Sequence, residues 1–159
     1  MNKAELEELY AEGHRLYEIC EYELAFDIYM KGAKAGHVYS MSALALMYSD
    51  GDGVKRDFDK SIEWDRKAYD AGDKNSLHNM AITYRMKGRM LNYKYWLEQS
   101  LKEGEGSAAL DLAKLYMISD KERDNVIKYL EVTLSHEDMT EGDIEEAEML
   151  LAEMRKNAR

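Results

Sequence analysis

The acidic, glycine-containing stretch DGDGVKRDFDKS at residues 50–61 has the residue types of a cation site or a phosphate-binding turn. A calcium-binding loop needs oxygen ligands at alternating positions, a glycine at the sixth and a glutamate at the twelfth. Counted from Asp50, those fifth, sixth and twelfth positions hold Val54, Lys55 and Ser61. A phosphate-binding loop would end in Gly-Lys-Ser or Gly-Lys-Thr, which is absent here. We therefore predict a turn between two helices, without a metal ion or a cofactor.

The histidines and the single cysteine form no recognisable catalytic or metal-binding motif. The four histidines lie far apart, and none belongs to an HExxH motif: His14, His37, His78 and His136. We expect His37 and His136 near the ends of helices, where a partly positive imidazole suits the helix dipole. Cys20 has no partner for an intramolecular disulfide, and its glutamate neighbours disfavour a reactive thiolate. With no GxSxG motif either, we predict a protein that is not an enzyme and has no catalytic residues.

The composition favours one folded, helical domain over residues 1–159. Hydrophobic residues make up 45% of the chain and charged residues 34%, with no proline and only ten glycines. The net charge of −10 disfavours nucleic acid and anionic membranes as partners. No run approaches the ~18 apolar residues of a membrane span. With one cysteine and no apolar segment in the first ten residues, we expect a cytoplasmic location.

Helix-like segments ending in glycine recur along the chain. Three align without a gap: AFDIYMKGAKAG at 25–36, SIEWDRKAYDAG at 61–72 and YKYWLEQSLKEG at 93–104. A fourth copy at 126–137 lacks the glycine. Glycine is the residue best able to take the left-handed conformation that follows a helix end. These segments are therefore predicted to be equivalent helices of a repeat.

A second helix-like run precedes the later segments. In each run an alanine stands three residues before a tyrosine: Ala45 and Tyr48, Ala81 and Tyr84, Ala113 and Tyr116. A small residue one turn from a large one suits helices that pack closely. We predict units of helix A, turn and helix B at about 4–37, 38–73, 74–104 and 105–137, followed by a capping helix at 140–157. Thr140 and Asp143 resemble a capping box for that helix.

The second unit resembles the Sel1 repeat, a relative of the tetratricopeptide repeat. The matching residues are Ser40, Leu44, Ala45, Tyr48, Gly51, Gly53, Val54, Asp57, Lys60, Trp64, Lys67, Ala68 and Gly72. Asp65 departs from the pattern by replacing an aromatic residue. The first unit looks more like a tetratricopeptide repeat, at Gly13, Leu16, Tyr22, Ala25 and Tyr29. The resemblance implies an all-α fold, a right-handed α-α superhelix (solenoid) of about four repeats.

This resemblance explains the opening stretch. Gly51 and Gly53 allow the chain to reverse between helices A and B, and Val54 packs into the turn. Asp57 is predicted to be the N-cap of helix B, where its carboxylate accepts from free amides. Trp64 and Trp96, both on helix B, are expected to pack between repeats.

In tetratricopeptide repeats, helix A lines the concave side and presents side chains at fixed offsets. Carried over to this sequence, the offsets imply these partner-binding residues: Tyr10, His14, Tyr17, Tyr39, Ser42, Leu46, Ser49, His78, Ile82, Arg85 and Lys114. In the fourth unit, Leu110 and Met117 occupy the same offsets. Tyrosine and arginine are typical of contact surfaces, whereas the alternative is that the aliphatic members pack against neighbouring helices.

We predict a scaffold or adaptor, a monomer, that binds a protein or peptide partner through this concave face. The alternative is an immunity or inhibitor protein that neutralises a basic toxin or effector. It would use the acidic residues near the C-terminus: Glu137, Asp138, Glu141, Asp143, Glu145, Glu146 and Glu148. An enzyme or small-molecule binder is a third class, but it needs a convergent polar site that the sequence does not assemble.

Overall fold

The computed structural model describes residues 1–117 and 122–156. Over these residues the chain is all-α, with nine helices and no strand. Their bounds are α1 Lys3–Glu18, α2 Tyr22–Lys34, α3 Val38–Asp50, α4 Phe58–Asp70, α5 Ser76–Met86, α6 Met90–Lys102, α7 Ser107–Tyr116, α8 Arg123–Ser135 and α9 Glu141–Lys156. The predicted all-α fold is confirmed.

The helices pack in consecutive pairs, as the repeat pattern predicts. Helix α1 packs on α2, α3 on α4, and α7 on α8. Each pair is joined to the following helix, because α2 packs on α3, α4 on α5, and α8 on α9. Helix α3 also contacts α5, and α7 contacts α9. Within each of these two stretches, alternate helices are therefore neighbours, as in a stack of two-helix repeats.

The chain divides into two compact units, Met1–Tyr93 and Lys94–Arg159. The core of the first unit contains Ala25, Tyr29, Ala33, Leu44 and Met47. The core of the second unit contains Leu110, Ala113, Val126, Leu130, Ala147 and Leu151. The organisation into four repeats and a capping helix within a single domain stays a prediction.

The small residues of the repeat lie where helices approach closely. Ala45, Ala81 and Ala113 are each no more than 1% exposed, which confirms their expected packing role. Trp64 is half-buried and packs against the core of the first unit. Trp96 is also half-buried, with its ring against Tyr95. The large and small positions of the pattern therefore follow from helix packing.

The turn between α3 and α4 reverses the chain and caps the start of α4. Gly51 and Gly53 both have positive φ, at +87° and +65°. A side chain on Gly53 would collide with the backbone of Tyr22, so this turn rests directly on the start of α2. Asp57 caps α4 by accepting from the amides of Asp59 and Lys60 at 3.1 Å each. The predicted helix-to-helix turn and its N-cap are confirmed.

Two expectations about helix ends need correction. His37 does not end α2 but caps the start of α3, where its buried Nδ1 accepts from the amide of Ser40. A positive imidazole would be unfavourable at that N-terminus. Thr140 accepts from the Asp143 amide at 3.2 Å, as expected of a cap. The Asp143 carboxylate, however, accepts from the Thr140 hydroxyl at 2.6 Å, so the capping box is incomplete.

Within residues 1–117 and 122–156, no group of histidine, cysteine, aspartate and glutamate is arranged to hold a metal ion. No helix in the same ranges is both long enough and apolar enough to cross a membrane.

Candidate functional site

An open cavity of about 470 Å³ lies in the Met1–Tyr93 unit. We call it the groove; it runs along α1, α3 and α5, and α2 and α4 supply parts of its floor. Eight of the residues predicted to form the concave face line it: Tyr10, His14, Tyr17, Tyr39, Ser42, Leu46, Ser49 and Ile82. The structure therefore brings most of the predicted set together, while their binding of a partner stays a prediction.

The other three predicted residues lie outside the groove. Helix α5 lines it with Asn79, Ile82, Thr83 and Met86 instead of His78 and Arg85. At about 100° per residue, Asn79, Thr83 and Met86 lie on one side of Ile82, and His78 and Arg85 lie on the other. The Arg85 guanidinium lies over the Tyr93 ring, 5.4 Å from its centroid.

Lys114, the third residue outside the groove, lies on α7 in the Lys94–Arg159 unit. Its ammonium pairs with the Glu146 carboxylate of α9 at 2.7 Å. Leu110 and Met117, at the neighbouring offsets, belong to the core of that unit or pack against it. For Leu110 the packing alternative is therefore correct.

Aromatic rings form one wall of the groove. Tyr10 is the centre, with its ring centroid 5.7 Å from Tyr29, 5.9 Å from Tyr39 and 6.3 Å from His14. Tyr29 belongs to the buried core, and this burial raises the pKa of its hydroxyl to about 12. The wall is therefore anchored in the core at Tyr29 and reaches solvent at Tyr39.

Large apolar side chains are exposed along the groove. Tyr39 is 57% exposed, Leu46 52% and Met86 44%. Each comes from a different part of the lining: the start of α3, the middle of α3 and the end of α5. Clustering of such side chains around a concavity is typical of a contact surface, whereas scattered single residues would need no explanation.

Carboxylates lie behind the polar side chains of the groove. The Tyr17 hydroxyl donates to Asp52 at 2.6 Å, and the Ser42 hydroxyl donates to Asp73 at 2.6 Å. The hydrogen bond to Asp52 raises the pKa of Tyr17 well above its usual value, with burial adding to the effect. These hydroxyls are therefore held in fixed positions and remain neutral donors.

Asp65 of α4 is the residue that sequence reasoning missed. It lines the groove although it is only 1% exposed, and its Oδ1 has no hydrogen-bond partner. Burial raises the pKa of Asp65, a hydrogen bond from Asn79 opposes the shift, nearby Asp73 adds to it, and the net value is about 8. Next to it, the buried hydroxyls of Ser61 and Thr83 lie 3.3 Å apart.

The sequence did contain a signal for Asp65. In the gapless alignment of the helix-B segments, Asp65 shares its position with Tyr29, Leu97 and Leu130. Those three side chains are each no more than 3% exposed. An acidic residue at a core position of a repeat is costly to bury, so it indicates a role other than packing.

The groove has the chemistry of a binding surface. Its lining contains two carboxylates, Asp50 and Asp65, and all eighteen lining residues are described, with neither lysine nor arginine among them. The Tyr17 and Ser42 hydroxyls donate to carboxylates, the Ser49 hydroxyl donates to a backbone oxygen, and the Ser61 and Thr83 hydroxyls pair with each other. The arrangement can therefore accept hydrogen bonds and attract cations.

Residues 38–73 match the family model of the Sel1 repeat. The chain contains a Sel1 repeat. This confirms the resemblance of the second unit, and such repeats generally mediate protein–protein interaction. No curated protein is a significant match to the sequence.

Solved structures share the fold of this Sel1-repeat chain. A Sel1 repeat protein from Oxalobacter formigenes is 22% identical, with a TM-score of 0.64 over 81% of this chain and 56% of that one. A protective antigen with an SLR fold, present in uropathogenic Escherichia coli strains, is 22% identical, with a TM-score of 0.74 over 94% and 33%. An immunity protein from Pseudomonas aeruginosa is 22% identical, with a TM-score of 0.59 over 83% and 53%. The chain thus spans about half or less of their lengths, and at this identity they establish the helical-repeat fold alone.

Proposed function

We propose that this Sel1-repeat protein is a non-enzymatic interaction module, a scaffold or adaptor, that binds a polypeptide in the groove. The supporting observation is the exposure of Tyr39, Leu46 and Met86 around one concavity. Burying these side chains under a partner would remove apolar surface from water, at about 25 cal/mol for each Å². The fixed hydroxyls and carboxylates between them would give the contact its orientation.

Two further features support a polypeptide rather than a small substrate. The groove is lined by five helices, so its contact points are spread along a surface instead of converging on one atom. The Tyr17 and Ser42 hydroxyls both donate to carboxylates, which hold them in place for contact with a partner. We propose that the protein works as a monomer in the cytoplasm, with neither nucleic acid nor membrane as its partner.

Panning a random peptide-display library on the full chain tests this function. Peptides enriched by the wild-type protein are expected to lose at least tenfold in affinity when Tyr39 and Leu46 are both changed to serine. The matched control is Leu24→Ser, because Leu24 is 54% exposed but does not line the groove. It is expected to keep wild-type affinity. If no peptide is enriched, or if Tyr39→Ser with Leu46→Ser leaves binding unchanged, the proposal is wrong.

A second candidate is an inhibitor of a basic toxin. Two observations favour it: the net charge of −10, and the immunity protein among the structures of similar fold. The same binding measurements separate the two candidates. Groove binding is expected to change little between 50 and 500 mM NaCl, because apolar contacts and charges enclosed beneath the partner are screened only weakly. An acidic face that captures a basic protein is expected to lose association rate steeply over that range.

A further inference from the structure

We propose that the groove recognises a basic side chain, lysine or arginine, of its polypeptide partner and that Asp65 is the group that pairs with it. This inference rests on the proposed function and adds the chemistry of the bound residue. It is carried by the position of a carboxylate within a concave, aromatic-walled surface.

The first observation is the unsatisfied oxygen of Asp65. The side chain lines the groove, is 1% exposed, and has Oδ1 without a hydrogen-bond partner. Asn79 supplies a hydrogen bond to the carboxyl group, but Oδ1 has none. Buried carboxyl groups are normally paired or fully hydrogen-bonded. A cationic donor entering the groove would supply the missing partner.

The second observation is the charge of the surroundings. Asp50 also lines the groove, and Asp52 and Asp73 accept hydrogen bonds from its Tyr17 and Ser42 hydroxyls. None of the eighteen lining residues is lysine or arginine, and the imidazole of His14, which also lines the groove, lies 3.7 Å from the carboxylate of Glu18. Acidic surroundings without a lysine or arginine are complementary to a basic side chain and repel an acidic one.

The third observation is the composition of the walls. Four tyrosines line the groove: Tyr10, Tyr17, Tyr29 and Tyr39. Aromatic faces attract ammonium and guanidinium groups, and they also accept the aliphatic part of a lysine or arginine side chain. The volume of about 470 Å³ is ample for one such side chain together with its flanking backbone. Apolar walls and an acidic floor suit both parts of a long basic residue.

Binding of the cation should then be linked to release of a proton. Burial raises the pKa of Asp65 to about 8 in the free protein, so roughly a tenth of the molecules carry it ionised at pH 7. The titratable groups that share its surroundings are Tyr10, His14, Tyr17, Tyr29, Tyr39, Asp50 and Asp73. A bound guanidinium favours the ionised carboxylate. Affinity should therefore rise up to about tenfold per pH unit below pH 8 and level off above it.

Sequencing the peptides enriched by the wild-type chain gives the first test. The peptides are expected to share a lysine or arginine at one aligned position. Panning on Asp65→Asn, which keeps the shape but removes the charge, is expected to abolish that preference. Asp70→Asn is the matched control, because Asp70 ends α4 and does not line the groove. Peptides that bind in the groove but share no basic residue overturn this inference and leave the proposed function intact.

Calorimetry on one enriched peptide gives the second test. Two versions of the peptide carry arginine or citrulline, its neutral analogue, in place of the shared basic residue. The change from arginine to citrulline is expected to cost at least tenfold in affinity for the wild-type chain. It is expected to cost less than threefold for Asp65→Asn. Titrations at pH 7 in buffers of different ionisation enthalpy are expected to show nearly one proton released by the wild type and none by the variant.

Three results would overturn the inference. Equal losses with citrulline in both proteins would place the cation elsewhere, and the absence of proton release would remove Asp65 from the contact. A free diamine such as 1,6-diaminohexane that binds at micromolar concentration, while no basic peptide is enriched, would make a small cation the occupant. Circular dichroism of Asp65→Asn verifies that lost binding does not come from unfolding.

Discussion

Helices α3 and α7 carry the same repeat positions and use them differently. Tyr48 of α3 and Tyr116 of α7 are equivalent. The positions six before, two before and one after these tyrosines give the equivalent pairs Ser42 and Leu110, Leu46 and Lys114, and Ser49 and Met117. At the first position, Ser42 is partly exposed and lines the groove, whereas Leu110 is 3% exposed in a core. The central position holds an exposed leucine in α3 and an ion-paired lysine in α7. A repeat position fixes a direction on the helix, but neighbouring helices decide what that direction meets.

The neighbours of the two helices explain the difference. Helix α7 contacts α9, and Leu110 packs in one core with Ala147 and Leu151 of that helix. Helix α3 contacts α5, but the groove lies along both helices and keeps Leu46 accessible. The same two-helix pattern thus gives a closed core in one unit and an open surface in the other.

Alanine substitutions provide the strongest way to break this comparison. Leu110→Ala should destabilise its unit by about 3 kcal/mol, through lost burial and the cavity left behind. Leu46→Ala should change the free energy of unfolding by less than about 0.5 kcal/mol, since half of the side chain is already exposed. Urea unfolding followed by circular dichroism measures both. Equal costs at the two positions would contradict the placement of Leu46 on an open surface and of Leu110 in a core.

The features that depend only on local contacts were the ones most readily predicted from the sequence. The positive φ of Gly51 and Gly53, the cap at Asp57 and the burial of Ala45 and Ala81 each depend on a helix and its immediate neighbour. Glycine, a capping carboxylate and a small packing residue act within one turn or one helix contact. Such features repeat with the sequence pattern and follow from it.

The residues that were missed depend on more distant contacts. His78 and Arg85 have the right spacing on α5 but lie on the side of Ile82 away from the groove lining. That side is set by the position of α3 relative to α5, which one helix cannot specify. Asp65 is placed by its own helix, but its role depends on a cavity that α1, α3 and α5 create together. The sequence shows that Asp65 occupies a core position of the repeat, but it does not show the cavity that this side chain lines.

The pH dependence of stability tests a second difference between the repeats. At the position where two other helix-B segments have the buried Leu97 and Leu130, α4 has Asp65 at the floor of the groove. Its folded-state pKa of about 8 lies above the unfolded value near 3.9. The unfolded chain therefore loses its proton first as the pH rises. The stabilisation from a neutral Asp65 is complete below about pH 4 and is lost as the pH approaches 8.

Denaturation at pH 5 and pH 8 should show this loss directly. The wild-type chain is expected to lose about 2 kcal/mol or more between these values, and Asp65→Asn is expected to remove most of that slope. Asp70→Asn is expected to keep the slope, because Asp70 is exposed at the end of α4. A slope unchanged by Asp65→Asn would mean that Asp65 is as well solvated in the folded protein as in the unfolded chain.

Lys114, the residue of α7 that is equivalent to Leu46, forms an ion pair with Glu146. Breaking this pair should have the smallest effect on the free energy of unfolding. Both side chains are about 40% exposed, at 42% and 39%, so solvent screens their attraction. A double-mutant cycle with Lys114→Ala and Glu146→Ala should give a coupling free energy of about 0.5 kcal/mol, falling further at 0.5 M NaCl. A coupling above about 2 kcal/mol would instead make this pair a main link between α7 and α9. The Lys114–Glu146 ion pair, rather than the packing of Leu110, would then explain why α7 is covered by α9 while α3 leaves its equivalent surface open.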